Sequence, residues 1–273
     1  YNCKEWYGGY LAVQMVGGAG VGVYHTSSAE EVEWVVSNSE SKVVFVGNNP
    51  MAAGDDSKMP QHRLMQVIDT LDKVEHFVLL PGVGGVEHAK LMTWDTFIGH
   101  GSSIETATLH ERMGALTEED TSALIYTSGT TGNPKGVELT HGNFNFEVKA
   151  ADFAFTFHQG ERYVSWLPLA HVFGQLIDNH YWVDKGLHMY VADNPLNVVD
   201  LAKEVQPHLF IGVPRIYEKL YSNVRAAIDS KALLRIGLKL PLLSGIFRKI
   251  LKKKTGMKAC RFAVTGAAPI NPD

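Results

Sequence analysis

Residues 126–136 read YTSGTTGNPKG, a stretch that packs four aliphatic hydroxyls (Thr127, Ser128, Thr130, Thr131), three glycines (Gly129, Gly132, Gly136) and Lys135 into one turn. The preceding residues 123–126, ALIY, are short and apolar and read as a buried strand. The turn therefore sits at a strand end, where α/β sheets place their ligands. Its glycines permit backbone angles closed to other residues and let main-chain N–H groups approach anionic oxygens. The hydroxyls add donors, and Lys135 adds a mobile positive charge. This composition suits polyphosphate.

Two plainer readings compete. An ordinary Gly/Thr-rich turn accounts for GTTG alone, but not for eleven residues with a lysine fixed behind Pro134. A Walker A loop needs G-x-x-x-x-G-K followed by Ser or Thr. Here Pro134 precedes Lys135 and Gly136 follows it, so that reading fails. Residues 127–136 instead resemble the phosphate loop of the adenylate-forming superfamily, [ST]-[ST]-G-[ST]-T-G-x-P-K-G, without a departure. Members of that superfamily activate a carboxylic acid with ATP as an acyl-adenylate, then usually pass the acyl group to a thiol.

With 273 residues, 45% of them hydrophobic, the chain can build one large domain or two modest ones around a real core. Two cysteines, Cys3 and Cys260, cannot form a disulfide framework and fit a reducing compartment, so a cytoplasmic protein is expected. No apolar run reaches about 18 residues, which argues against a transmembrane helix. The opening YNCKEWYGGY lacks an initiator Met, a charged n-region and an apolar h-region. No signal peptide is expected, and the chain reads as starting mid-protein. A formal net charge of −4 argues against a nucleic-acid partner. The charge is uneven, however, because residues 231–258 hold nine Lys or Arg and no Asp or Glu.

Taken in order, residues 6–16 predict a helix and residues 21–24 a short strand. Ser28 and Glu31 have capping-box spacing ahead of a helix. KVVFV (42–46) and HFVLL (76–80) read as strands on either side of a helix over 61–71. Such alternation implies parallel sheet covered on both faces. Residues 81–116 show little periodicity and read as a connection between two α/β parts. Beyond the loop, residues 140–143 (THGN) can cap a helix starting near Phe144, and a helix N-terminus beside the loop favours anions. Residues 161–167, 187–192 and 209–213 predict strands, and 198–205 a helix. His25 reads as a packed or solvated histidine, with no second ligand at metal spacing.

Three later stretches extend the resemblance. WLPLAHVFGQ (166–175) is similar to the superfamily's "LPL.H.FG" motif, which implies a substrate-side role for His171. VPRIYEKLY (213–221) resembles long-chain fatty acyl-CoA synthetases, including the bubblegum type; Arg215 within it reads as structural before phosphate-facing. FAVTGAAPI (262–270) resembles the "[ST]GGAP" turn, implying that Gly266, Ala267, Ala268 and Pro269 let adenine and the acyl chain approach the backbone. Ala267 stands where many members have a second glycine. EWYGGYLAVQMVGGAGVGVYHTSS looks like the first α/β layer of the same enzymes.

The sequence is thus identified as a member of the adenylate-forming superfamily. Its expected fold is α/β, with doubly wound sheets flanked by helices, in a first part over 1–116 and a second over 117–273 that carries the phosphate loop. The resemblance implies activation of a long-chain fatty acid with ATP and Mg²⁺, then transfer to coenzyme A. Lys135 and His171 are the expected catalytic residues. Thr127, Ser128, Gly129, Thr130, Thr131, Gly132, Lys135 and residues 266–269 are the expected nucleotide contacts, and no metal ligand is assigned. The alternatives are adenylation of another acid, or a non-catalytic relative that binds nucleotide or acyl chains. In the superfamily the ribose acid, the metal-binding acid and a C-terminal lysine follow the last motif, so the chain as written is expected to be an N-terminal fragment, inactive alone. Residues 231–258 read as a basic amphipathic helix that either rests on an anionic membrane or packs its apolar face on its own domain.

Overall fold

Ser28 begins its helix by pairing twice with Glu31. The Glu31 N–H donates to Ser28 Oγ at 3.2 Å, and the Ser28 N–H donates to Glu31 Oε2 at 3.0 Å. Both donors would otherwise be orphans of the first turn, and the acidic residues there also suit the helix dipole. The helix is α2 (Ala29–Asn38), and α1 (Lys4–Met15) precedes it through the two-residue strand β1 (Gly20–Val21). The structure, a computed structural model, describes residues 1–127, 132–230, 240–266 and 268–269.

Among the described residues the strands form three sheets. In the first, β2 (Val43–Val46), β3 (His76–Leu79) and β4 (Leu91–Thr93) run parallel in that order. In the second, β1 pairs parallel to β5 (Thr121–Thr127), which pairs antiparallel to β6 (Lys135–Thr140). The third is all parallel, in the order β10-β9-β7-β8, with β7 at Arg162–Ser165, β8 at His188–Val191, β9 at Leu209–Gly212 and β10 at Phe262–Thr265. Strands buried on both faces read as continuous apolar runs, and all four residues of β9 are buried.

The connections are mostly helical: α3 (Pro60–Met65), α4 (Trp94–His100), α5 (Thr106–Gly114) and α6 (His141–Ala154) come before β7. After it come α7 (Val172–Gln175), a π-helical turn (Leu176–Tyr181), α8 (Trp182–Lys185), α9 (Val198–Val205), α10 (Pro214–Asp229) and α11 (Pro241–Lys254). The chain folds as two compact units, one of Tyr1–Ala151 with Pro168–His180 and one of Asp152–Leu167 with Tyr181–Asp273. In the first, Phe77 is fully buried among Val36, Val46, Ile68 and Leu71. In the second, α9 packs Val198 and Ala202 against Val164 and Phe210.

Several expectations are corrected. Residues 81–116 are not a bare connection, because β4 extends the first sheet and α4 and α5 follow it; Thr93 Oγ1 caps α4 by accepting the Thr96 N–H at 3.2 Å. The helix expected over 61–71 ends at Met65. The strand expected over 21–24 is only Gly20–Val21. The N-terminus of α6 does not lie beside the phosphate loop. β6 intervenes, and the five steps from Lys135 to Thr140, at about 3.3 Å each, carry the chain roughly 17 Å away. The helix starts at His141 and not near Phe144, and within the expected capping stretch the Asn143 N–H donates to Thr140 Oγ1 at 3.2 Å and the Thr140 N–H to Asn143 Oδ1 at 3.0 Å.

Candidate functional site

The stems of the 126–136 stretch are a β-hairpin. Tyr126 lies opposite Gly136, and Thr127 opposite Lys135, so the expected hydroxyl and ammonium stand across from one another at the end of the ladder. Both are exposed, as a ligand contact requires. Gly132 has φ +91° with open space around it, a conformation costly for any side chain. Gly136 is needed for a different reason than expected: its φ is not positive, but a Cβ there would press on the Tyr126 ring at 3.1 Å. Ser128, Gly129, Thr130 and Thr131 lie outside the described residues.

Helix α2 holds the two stems. Trp34 Nε1–H donates to the Pro134 carbonyl at 2.9 Å, and the Tyr126 hydroxyl donates to Asn38 Oδ1 at 2.7 Å. Sequence reasoning missed both anchors, since they join residues 100 and 88 positions apart.

His171 is half-buried at the N-cap of α7, where its Nδ1 accepts the Phe173 N–H at 3.1 Å. A neutral ring with Nδ1 so engaged carries its proton on Nε2. Just beyond, the Gln175 amide is fully buried: Oε1 accepts from the Tyr10 hydroxyl at 2.7 Å, and Nε2 donates to the Leu169 carbonyl at 2.9 Å. Only glycine fits at position 22, where a Cβ would come within 2.5 Å of Ala170 Cα. His180, on the π-helical turn, stacks on Phe144 with ring centroids 4.0 Å apart. Burial, helped by the neighbouring His141, pushes its pKa down to about 4. π-turns gather at functional sites.

In the second unit, three quoted motifs leave the C-terminal ends of three adjacent parallel strands. Trp166 follows β7, Val213 follows β9 and Gly266 follows β10, with Thr265 and Gly212 in register. Trp166 Nε1–H donates to the Ile211 carbonyl at 2.7 Å. The Tyr217 hydroxyl is bifurcated between the Phe210 and Val264 carbonyls, at 2.9 and 3.0 Å. A Cβ at Gly212 would meet Ile216 at 2.4 Å. Gly266 is half-buried while Ala268 and Pro269 are exposed; Ala267 lies outside the described residues. Arg215 is exposed and makes no ion pair among the described residues, so the expected structural pairing is not formed there. Thr127, Gly132, Lys135 and His171 thus belong to the first unit, and residues 266–269 to the second.

A separate cavity of about 440 Å³ in the first unit is lined by Tyr10, Val13, Val21, Val44 and Phe45 among others, and includes none of the expected site residues.

The family described as "AMP-binding enzyme" matches residues 1–273. The chain is 29% identical over 305 residues to the long-chain-fatty-acid–CoA ligase ACSBG2 of Xenopus laevis, covering 100% of this chain and 40% of that protein. It is 30% identical over 285 residues to the long-chain-fatty-acid–CoA ligase FadD15 of Mycobacterium tuberculosis, covering 95% of this chain and 45% of the relative. Its fold matches the A-PCP didomain of carboxylic acid reductase from Segniliparus rugosus, solved in complex with AMP. That match has a TM-score of 0.70 at 17% identity, over 100% of this chain and 38% of the other. The chain spans less than half the length of these relatives.

Proposed function

The chain belongs to the AMP-binding enzyme family, and from that premise we propose that it carries the phosphate-binding part of an enzyme that activates a long-chain fatty acid with ATP. In this reading the carboxylate oxygen attacks the α-phosphorus, the bond to the bridging oxygen breaks and pyrophosphate leaves. The thiol of coenzyme A then attacks the acyl carbon and AMP departs. No covalent link to the protein forms. The observation that carries the proposal is the register of the hairpin, with Thr127 facing Lys135 at an exposed strand end beside the left-handed Gly132. Lys135 and the Thr127 hydroxyl hold the phosphates and stabilise the charge that builds on them. His171 borders the acyl side, and residues 266–269 accept the adenine. The names of the curated relatives support a long-chain acid over an aryl or amino acid.

Mg²⁺ belongs to this reading as the companion of pyrophosphate. Among the described residues no three His, Cys, Asp or Glu side chains gather to hold a metal ion, so no residue is assigned to it and no step is routed through it. In this reading a first α/β part spans 1–116 and a second, carrying the phosphate loop, spans 117–273, a division that differs from the compact units.

A lipid surface is part of the proposal. No helix among the described residues is long and apolar enough to cross a membrane. α11, however, exposes Ile246 (57%) and Ile250 (40%) beside the exposed Arg248, Lys249, Lys252, Lys253 and Lys254. Gln206 anchors the end of this helix by donating from Nε2 to the Lys253 carbonyl at 2.9 Å. An apolar stripe ringed by cations suits an anionic bilayer, where a long-chain acid partitions.

The test of the acid is equilibrium competition with non-hydrolysable adenylates, palmitoyl, benzoyl and aminoacyl sulfamoyl-adenosine, for binding to this chain. The palmitoyl compound is expected to bind tightest. Preference for the benzoyl or aminoacyl compound would overturn the long-chain reading.

A further inference from the structure

We infer that Trp34 and Asn38 are positioning residues for the nucleotide phosphates, acting through the hairpin stems and not by touching the ligand. The inference rests on the phosphate-binding reading of Thr127 and Lys135.

The two residues are four apart on α2 and so share one face of the helix. Each engages a different stem, one position before a proposed phosphate contact. Asn38 accepts from Tyr126, which precedes Thr127; Trp34 donates to Pro134, which precedes Lys135. The helix therefore fixes the two stems relative to each other at the point where hydroxyl and ammonium face one another. β6 needs such an anchor because it is the outer strand of its sheet, and Lys135, Gly136, Val137 and Glu138 are all exposed. β5 is held by its buried residues, whereas the exposed start of β6 has little packing of its own.

Trp34 is itself unusual. It is a large apolar residue left 37% exposed, yet its indole N–H is spent on a backbone carbonyl. A core tryptophan is kept for its buried area. Here the hydrogen bond is what the position uses. The Asn38 link is reinforced from the other side, since the Tyr126 ring lies against Gly136 on the opposite stem. A change at either α2 residue removes one of two anchors from the end of the ladder, and the spacing of Thr127 and Lys135 is held less tightly before ATP arrives. Preorganised donors bind charge better than donors that must be ordered on binding.

The test uses the whole chain and ATP as the probe, with affinity read by calorimetry and indole emission followed during the titration. Trp34→Phe keeps an aromatic side chain and removes the donor. Asn38→Leu removes the acceptor, while Asn38→Asp keeps an acceptor oxygen. Trp34→Phe and Asn38→Leu are each expected to weaken ATP about fivefold, the worth of one hydrogen bond, with Asn38→Asp close to the parent. ATP is expected to change indole emission in the parent and not in Trp34→Phe, a signature that a merely structural role would not produce. Lys135→Ala serves as the control for the underlying reading. If it leaves ATP affinity unchanged, or the parent binds no ATP, the phosphate-binding reading falls and takes this inference with it. If Lys135→Ala weakens ATP while Trp34→Phe and Asn38→Leu do not, the positioning role alone is overturned.

Discussion

The hydroxyl of Tyr10 donates to Oε1 of Gln175 at 2.7 Å, joining α1 to the helix that follows His171 across 165 residues of sequence. Tyr10 also stacks on Trp6, with centroids 4.8 Å apart, and belongs to the core cluster around Ala123, Ile125 and Phe144. Tyr10→Phe keeps the stacking and strands a fully buried amide oxygen. A loss of about 1–3 kcal/mol is expected, the cost of one unsatisfied buried acceptor. Urea unfolding measures it: the midpoint should fall with an unchanged slope, and an unmoved midpoint would contradict the role given to this bond.

His180 predicts a dependence of stability on pH. Burial first, and His141 second, hold its folded pKa near 4 against an ordinary 6.5. The folded state thus keeps the ring neutral over a range in which the unfolded chain binds a proton. The contribution is complete above about pH 6.5 and is lost as pH falls from there toward about 4, by at most about 3 kcal/mol. Unfolding midpoints between pH 4.5 and 7.5 should decline with acid in the parent and less steeply in His180→Phe. Parallel profiles would remove His180 as the cause.

Much of the architecture was legible because its signals are local. The Ser28–Glu31 box, the apolar runs of β2, β3 and β9, and the amphipathic α9 each follow from a few neighbouring residues. β4 was not legible: three residues, none of them buried, leave too little pattern to see. β6 was missed for a related reason, since KGVELT is an outer strand whose first four residues are all exposed, so neither face is buried enough to impose alternation. The candidate site divides the same way. The loop pattern and the "LPL.H.FG" histidine are written in sequence, whereas Trp34, Asn38, Tyr10 and Gln175 acquire their roles only through partners about 90 to 165 residues distant.

The basic helix makes a prediction that salt and lipid composition can check. Sedimentation with vesicles containing phosphatidylserine should be marked at low ionic strength and decline as salt rises, because exposed cations lose their attraction within a shorter Debye length. Replacing Lys252, Lys253 and Lys254 with Gln should remove most of it. Equal sedimentation with neutral phosphatidylcholine vesicles, or indifference to the three substitutions, would assign the exposed Ile246 and Ile250 to some other surface.

The most direct measurement is ATP binding to this chain before and after Lys135→Ala, followed by calorimetry, with circular dichroism as the check on folding. Lys135 is exposed and makes no core contact, so the variant should fold with the parent's spectrum and unfolding midpoint. A charge-assisted contact is worth about 1.5–3 kcal/mol, so ATP should bind at least about tenfold more weakly. An unchanged dissociation constant in a correctly folded Lys135→Ala protein would contradict the claim that the hairpin end from Thr127 to Lys135 is where the phosphates are held.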